Sequence, residues 1–330
     1  MPALANVAIH PSQFPEQVRR DLIESLRTRQ INHKFHYDSL KQTQKWLALH
    51  QAYSPSRTDP DCAATYDRGF AEAASRLASE SVHLIGLGCG GGQKDSRLLA
   101  SLRNHGKTAF YTPSDVSTAM VLIARRAAMA VIPGENCFPL VCDLATAGDL
   151  LPSLAEQSLS EVPRLITFFG MIPNFEPQVI LPKLAALLRP NDSMLLSANL
   201  APGSDYSAGL QRILPLYDNA LTRAWLMTFL LDLGVEASDG DLQFRIEEAP
   251  PGSGLKRVAA YFEFTRAREI RLDEAKFSFH PAESIRLFFS YRHTPALLRS
   301  LLAEHALRVL DQWITRSEEE GVFLVQRSAS

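Results

Sequence analysis

Residues 84–99, LIGLGCGGGQKDSRLL, place five glycines within seven positions, between an apolar run and a segment that carries charged residues. The run VHLIGLG predicts a short buried strand, and the segment after the glycines predicts a helix that ends at Gly106. A turn without Cβ atoms lets the main chain approach a ligand closely. The stretch therefore predicts a nucleotide-like cofactor at the carboxyl end of the first strand of a parallel sheet.

The same alternation continues on either side of this stretch. Between residues 81 and 200, strand-like runs such as RLITFFG and SMLLSANL alternate with helical patterns such as QVILPKLAALLR. Alternating strands and helices favour an α/β fold with a doubly wound, Rossmann-like parallel sheet. The last segment, HALRVLDQWITRSEEEGVFLVQR, predicts a closing hairpin whose strands join the sheet edge in antiparallel orientation.

Changes in pattern along the chain predict four regions. We expect an N-terminal helical segment that caps the substrate (1–75), a cofactor-binding Rossmann-like core (76–200), a smaller substrate-binding α+β insertion (201–285), and a return to the core sheet (286–330).

Composition restricts the classes of partner. The 330 residues include 46% hydrophobic residues, enough for a large core, and a formal net charge of −2 offers no attraction for nucleic acid. The four cysteines show neither a zinc-ligand spacing nor a disulfide framework, and we expect no metal. The N-terminus shows no targeting signal and no apolar run is long enough to span a membrane, so we expect a cytoplasmic protein.

The glycine spacing alone identifies no particular nucleotide. Gly86, Gly88 and Gly91 match G-x-G-x-x-G, which also fits dinucleotide enzymes and plain tight turns. No G-K-[ST] follows the loop, which excludes ATP binding of the P-loop kind.

Two acidic residues at the ends of the next strands indicate an adenosine. Asp115, in TPSDVS, is placed to accept hydrogen bonds from ribose hydroxyls, and Asp143, in VCDL, from an adenine amino group. Each of the two could instead be a helix N-cap, where Asp is favoured.

The order of glycine loop, ribose acid and adenine acid resembles a class I S-adenosylmethionine-dependent methyltransferase. Further stretches resemble the histidine Nα-methyltransferase family of ergothioneine biosynthesis: FHYDS, AYSPSR, GGQKDSRLL, DVS, FFGMIPNFEP and LPLYDNALTRAW. The resemblance runs from about residue 35 to the end of the chain.

This resemblance implies roles for named residues. The implied contacts of the cofactor S-adenosylmethionine are Gly86, Gly88, Gly90, Lys94, Asp115, Ser117 and Asp143. The implied substrate contacts are Tyr37, Tyr53, Asn174, Tyr217, Ala260, Phe288 and Ser290. Asn174 and Tyr217 would hold the amino and carboxylate groups of an amino acid, and Tyr37 is the candidate general base. Asn174 could instead cap a helix that begins near Pro177, and the tyrosines could be core residues.

Two positions depart from the family. Phe288 stands where the family has a glutamate that binds the imidazole ring, and Ala260 stands where it has a methionine, whereas Ser290 is kept. Loss of the carboxylate removes the acceptor for a ring N–H. The departures favour N-methylation of a bulky or aromatic, tryptophan-like amino acid over histidine.

Two other functions remain open from the sequence. One is an enzyme of secondary metabolism that uses the aminobutyl arm of S-adenosylmethionine, as a cyclase or alkyl transferase. The other is a homologue that binds the cofactor without catalysis.

Overall fold

The computed structural model of the chain describes residues 4–148, 159 and 162–328. The chain forms two compact units, and neither is continuous in sequence. The first unit is built from the ranges 1–13, 55–200 and 293–330, and the second from 14–54 and 201–292. This division assigns residues 14–54 and 55–75, which the sequence pattern groups together, to different units.

The described helices and strands are numbered here in chain order. The helices are α1 (Pro15–Thr28), α2 (Leu40–Tyr53), α3 (Pro55–Thr58), α4 (Pro60–Ser75), α5 (Gln93–Asn104), α6 (Thr118–Ala128), α7 (Pro177–Leu187), α8 (Tyr206–Tyr217), α9 (Ala220–Asp232) and α10 (Pro295–Glu304). The strands are β1 (Ala8–Ile9), β2 (Ser81–Leu87), β3 (Thr108–Asp115), β4 (Leu140–Val141), β5 (Arg164–Phe169), β6 (Ser193–Asn199), β7 (Gly240–Glu248), β8 (Lys256–Phe264), β9 (Arg268–Leu272), β10 (Ala275–Phe279), β11 (Ser284–Arg292), β12 (Leu307–Ile314) and β13 (Glu320–Arg327).

The first unit is built on a mixed sheet with the strand order β1-β4-β3-β2-β5-β6-β13-β12. The strands from β1 to β6 are parallel, and β13 pairs antiparallel with both β6 and β12. The predicted doubly wound α/β sheet with its closing antiparallel hairpin is confirmed. Because β2 lies between β3 and β5, the chain reverses direction across the sheet at β2, where α/β folds bind ligands.

Alternate residues of the central strands enter two separate apolar cores. Val82 and Leu84 belong to one core, and Ile85 and Leu87 to the other. Successive side chains of a strand point to opposite faces, so a sheet covered on both faces needs continuous apolar runs. This requirement explains why VHLIGLG lacks polar alternation.

The second unit combines helices with antiparallel strands. A three-stranded sheet has the order β11-β8-β7, and β9 and β10 form a separate hairpin. Its core joins residues of α1 and α9 to the sheet, including Leu26, Trp225, Phe262 and Phe288. The α+β insertion predicted as part of the fold class is confirmed, and the bounds 201–285 stay a prediction.

Candidate active site

The glycine loop follows β2 at the carboxyl edge of the sheet in the first unit. Gly88, Gly90 and Gly92 have φ angles of 64°, 50° and 70°. Residues with a Cβ rarely adopt this left-handed conformation, whereas glycine adopts it readily. A Cβ on Gly92 would lie 2.6 Å from Cα of Ala124, so this glycine permits α5 to pack against α6. The loop thus combines a tight turn, exposed main chain and close helix packing.

Gly86 has a structural task below the loop. A Cβ at this position would lie 2.3 Å from Oδ2 of Asp95. The buried Asp95 carboxylate accepts hydrogen bonds from Tyr111 Oη (2.6 Å) and Thr167 Oγ1 (2.8 Å), and it thereby joins α5 to β3 and β5. Burial raises the pKa of Asp95 to about 6, although both hydrogen bonds act in the opposite direction. Sequence reasoning missed this residue, and the cofactor role of Gly86 stays a prediction.

Asp115 is the last residue of β3, and it faces the glycine loop. Its carboxylate accepts hydrogen bonds from the main-chain N–H groups of Gly90 (3.0 Å) and Ser117 (3.1 Å). Burial raises the pKa of Asp115 to about 6, against the effect of these bonds. The N-cap of α6 is Ser117, whose side chain accepts from Met120 N–H, so Asp115 is not the cap. The buried Ser117 hydroxyl therefore has a helix-capping task, and its contact with the cofactor stays a prediction.

Asp143 follows β4 by two residues and is buried. Its Oδ1 accepts a hydrogen bond from Ala145 N–H (2.9 Å), and its own N–H donates to Ser12 Oγ (3.0 Å). The carboxylate thus stabilises a local turn. Asp143 also follows β4, next to β3 and Asp115 in the sheet, where a carboxylate that binds the adenine amino group is expected.

Lys94 lies in the first turn of α5. Its ammonium donates to Tyr66 Oη at 2.7 Å, lies 3.6 Å from a carboxylate oxygen of Glu320, and stands 4.2 Å from the centroid of the Tyr66 ring. Neither Tyr66 nor Glu320 is among the sequence-predicted site residues.

Asn174 ends a short 3-10 helix, Ile172–Asn174, that follows β5 in the first unit. The N-cap of α7 is Glu176, so Asn174 does not occupy the capping position that the sequence left open. Asn174 is half-buried, and its role as a substrate residue stays a prediction.

The other predicted substrate residues belong to the second unit. Tyr217 Oη donates to Ser290 Oγ at 2.8 Å and accepts from Nε of Arg292 at 3.0 Å. Arg292 is 8% exposed. Three polar groups, one of them a guanidinium that the sequence analysis did not single out, therefore meet within an otherwise apolar core.

Phe288 lies beside this polar group. It pairs with Ala260 across β11 and β8, and its ring lies 5.1 Å from the ring of His33 in a stacked arrangement and 5.7 Å from Trp225. Burial is the main cause that lowers the pKa of His33 well below its ordinary value, so the imidazole is neutral. The rings that contact Phe288 are thus aromatic and uncharged, with the charges of Arg257 and Arg286 close enough to lower the pKa of His33 further.

Tyr37 and Tyr53 differ in their surroundings. Tyr37 is partly buried, with ring centroids 5.5 Å from Trp225 and 6.0 Å from Trp46. Tyr53 is the last residue of α2 and is 54% exposed. Both stay predicted substrate residues.

A family comparison identifies the chain. The sequence model of a family described as histidine-specific, S-adenosylmethionine-dependent methyltransferases matches residues 18–327. The chain belongs to this family. It is an S-adenosylmethionine-dependent methyltransferase, as the resemblance implies. No curated protein matches the sequence at a significant level.

A solved structure agrees with the fold of this methyltransferase. A candidate methyltransferase from Thermobifida fusca is 12% identical, with a TM-score of 0.50 over 88% of this chain and 90% of that chain. At this identity the similarity shows the fold alone. The chain also matches the 1,6-didemethyltoxoflavin-N1-methyltransferase of Burkholderia thailandensis, bound to 1,6-didemethyltoxoflavin and S-adenosylhomocysteine, with 12% identity and a TM-score of 0.41 over 99% of this chain and 94% of that chain.

The residues at the sheet edge of the methyltransferase fit its cofactor. Gly90 has a φ of 50°, whereas Gly88 packs against Met171, whose Sδ would lie 2.5 Å from an added Cβ; a Cβ added at Gly170, after β5, would meet no atom within 4 Å. The Asp115 carboxylate accepts main-chain N–H groups of Gly90 and Ser117 on different oxygens, and a carboxylate has about four acceptor positions, so capacity remains for a ribose hydroxyl.

Within residues 4–148, 159 and 162–328, no group of three or more His, Cys, Asp or Glu side chains could hold a metal ion. In the same part of the methyltransferase, no helix is long and apolar enough to cross a bilayer.

Proposed function

We propose that this methyltransferase transfers a methyl group from S-adenosylmethionine to the α-amino group of a bulky aromatic amino acid or derivative, tryptophan-like rather than histidine. The observation that carries the proposal is the position of Phe288 among aromatic rings beside Tyr217 and Ser290. The ring centroids of Phe288 and Tyr217 are 6.3 Å apart.

The chemistry of these rings supports the choice of side chain. An imidazole N–H needs an acceptor, and burial without one costs about 1–3 kcal/mol. Phe288 offers none. An indole N–H needs an acceptor as well, but the larger apolar surface of an indole gains about 25 cal/mol for each Å² that it buries, which offsets this cost better than an imidazole can. Offset and edge-to-face ring contacts add about 0.5–1.5 kcal/mol.

The polar group next to Phe288 supports an amino acid as the substrate. Tyr217 and Ser290 provide hydroxyls, and Arg292 brings a positive charge that complements a carboxylate. Because the guanidinium donates to Tyr217, the phenol oxygen is held in one position relative to the strand.

The task of the chain during methyl transfer is alignment. The bound cofactor supplies a methyl group already activated by a sulfonium, so no protein nucleophile is needed. Fixing the reacting groups in line is worth about 7–11 kcal/mol in favourable cases. The new N–C bond forms as the C–S bond breaks and S-adenosylhomocysteine leaves. The amine gives up a proton, for which Tyr37 is the proposed relay: its phenol oxygen accepts the proton as its hydroxyl passes one to water. The amino terminus of a polypeptide has a pKa of about 8, and the neighbouring carboxylate of a free amino acid raises the pKa of its amino group above that value, so the site has to favour the neutral amine.

Turnover with single amino acids tests the proposal. The full chain is incubated with S-adenosylmethionine and each of the twenty amino acids, and the products are identified by mass spectrometry. We expect N-methylated tryptophan, or another aromatic amino acid, together with S-adenosylhomocysteine. Preferred methylation of histidine would contradict the proposed substrate. Formation of methylthioadenosine would identify an enzyme that uses the aminobutyl arm, and cofactor binding without turnover of any amino acid or aromatic derivative would indicate a non-catalytic homologue.

A further inference from the structure

A buried polar network connects Lys94 to three other elements of the first unit. Tyr66 in α4 is fully buried, and its hydroxyl contacts the Lys94 ammonium, the Glu320 carboxylate of β13 and Ser197 Oγ of β6 (2.8 Å). Ser197 Oγ in turn accepts the main-chain N–H of Gly170 at 2.8 Å. The network thus reaches the loop that follows β5.

The Tyr66 hydroxyl stands between two opposite charges. It donates to Glu320 and accepts from Lys94, while the ammonium stays 3.6 Å from the nearest carboxylate oxygen. Burial and the neighbouring Glu320 raise the pKa of Tyr66 well above its ordinary value, so the phenol keeps its proton. A neutral hydroxyl in this position keeps the ammonium from closing onto the carboxylate.

The ammonium also lies near the carboxyl end of β5. Its Nζ lies 5.9 Å from the ring centroid of Phe169, the last residue of β5, and the Lys94 side chain is 19% exposed. The hydrogen bond to Tyr66 uses one of the three ammonium donors. The other donors can therefore serve a ligand at the edge of the sheet.

The order of groups along this edge indicates which part of the cofactor meets Lys94. Asp143 and Asp115 follow β4 and β3, whereas the Lys94 ammonium lies near Phe169 of β5 and Glu320 of β13, farther along the strand order. With adenine and ribose at the two aspartates, the carboxylate end of S-adenosylmethionine lies toward Lys94.

We infer that Tyr66 and Glu320 are positioning residues that hold the Lys94 ammonium for the carboxylate of S-adenosylmethionine, with the Tyr66 hydroxyl as the spacer between Lys94 and Glu320. The inference rests on the predicted cofactor role of Lys94. It is independent of the amino-acid substrate, because cofactor binding is measured without that substrate.

The test compares two ligands of the full chain by calorimetry. S-adenosylmethionine carries the carboxylate, and methylthioadenosine has the same adenosine without the amino-acid end. Tyr66→Phe removes the spacer, so Lys94 closes onto Glu320. We expect about tenfold weaker binding of S-adenosylmethionine, the scale of one charged hydrogen bond, with unchanged binding of methylthioadenosine. Lys94→Met should show the same selectivity.

Two further variants separate positioning from a general loss of structure. Adding Glu320→Gln to Tyr66→Phe removes the competing charge and should restore most of the affinity for S-adenosylmethionine. Tyr111→Phe is the matched control, because Tyr111 is also a buried phenol bonded to a carboxylate and its hydroxyl bonds to Asp95. Any change in the control should affect both ligands equally.

Three results would overturn the inference. Equal losses for both ligands in Tyr66→Phe would assign Tyr66 a purely structural role. Unchanged affinity in Lys94→Met would remove Lys94 from the cofactor site. Failure of the double variant to regain affinity would show that Glu320 does not compete for the ammonium.

Discussion

Phe288 and Ser290 point to the same side of β11, and both meet the side chain of Tyr217. Tyr217 Oη lies 2.8 Å from Ser290 Oγ, and its ring lies 6.3 Å from that of Phe288. Residues two apart on a strand share a face, so the sequence assignment of these two positions to one face is consistent with the structure. A shift of one residue would have placed Phe289 there instead.

The first prediction concerns specificity at Phe288. Phe288→Glu should lower turnover of the native aromatic substrate and raise the relative turnover of histidine, because the carboxylate supplies an acceptor for the imidazole N–H. Phe288→Leu is the control, since it changes shape without adding an acceptor, and it should not favour histidine. The measurement is kcat/KM for the aromatic amino acid and for histidine, compared between wild type and each variant. Unchanged kinetics in Phe288→Glu would show that the side chain does not face the substrate.

The second prediction concerns Asn174. Asn174→Ala should raise KM for the amino-acid substrate about tenfold to a hundredfold, the scale of a lost hydrogen bond to a charged amine. Calorimetry should find the affinity for S-adenosylmethionine within a few fold of wild type. Parallel losses of both affinities would indicate a structural role in the loop after β5.

The third prediction uses the pKa of Asp115. Since burial raises that pKa to about 6, the carboxylate becomes protonated as the pH falls through 6 and loses its capacity to accept both ribose hydroxyls. Binding of S-adenosylmethionine, measured by calorimetry from pH 8 to pH 5, should therefore weaken below about pH 6. Asp115→Asn should bind weakly at every pH, with a much smaller pH dependence. A wild-type affinity that does not change with pH would exclude Asp115 from the ribose contact.

The fourth prediction concerns the stability contributed by Asp95. Its pKa is about 6 in the folded chain against an ordinary value of 3.8, so the folded state binds this proton more tightly than the unfolded state. Its contribution to the free energy of unfolding is therefore greatest below about pH 4 and declines as the pH rises to about 6. The amide of Asp95→Asn can still form hydrogen bonds with Tyr111 and Thr167 but does not titrate. The free energy of unfolding of the variant should therefore rise relative to that of wild type as the pH increases from about 4 to about 6. Denaturant unfolding at several pH values measures the difference, and a constant difference would contradict the assignment.

The fifth prediction separates two costs at Gly92. Gly92→Ala places a methyl group 2.6 Å from Cα of Ala124 and also strains a residue with a φ of 70°. Gly106→Ala has a similar φ of 75° but meets no atom within 4 Å, so it carries the backbone cost alone. We expect about 1–2 kcal/mol of destabilisation for Gly106→Ala, and about 1–3 kcal/mol more for Gly92→Ala. Equal melting temperatures for the two variants would show that α5 and α6 are not in close contact.

The sequence predicted the central sheet because its signals are local. Strands covered on both faces require continuous apolar runs, and the glycines mark the turn after β2. In contrast, β1 has two residues within a region predicted to be helical, and its existence depends on pairing with the distant β4. The β9–β10 hairpin was also missed, since its residues alternate only partly between apolar and polar.

The parts of the candidate site that sequence reasoning missed depend on distant contacts. Asp95 binds Thr167, 72 positions away, and Tyr66 meets Glu320 at a separation of 254. Acidic residues are common in the first turn of a helix because they interact favourably with the helix dipole. The position of Asp95 in the sequence therefore gave no indication of its hydrogen bonds to other elements. The one available signal is Gly86, a glycine within a strand, which indicates that another group approaches closely.

The closing hairpin has a consequence for how the protein is made. Strand β6 pairs on one side with β5 and on the other with β13, which begins at Glu320 near the end of the chain. During synthesis β6 therefore presents an unpaired edge until β13 has left the ribosome, while the residues of the second unit are still being added. An open edge of this kind is a site for aggregation. A chain that stops before β13 should thus be a substrate for chaperones and proteases rather than a smaller enzyme.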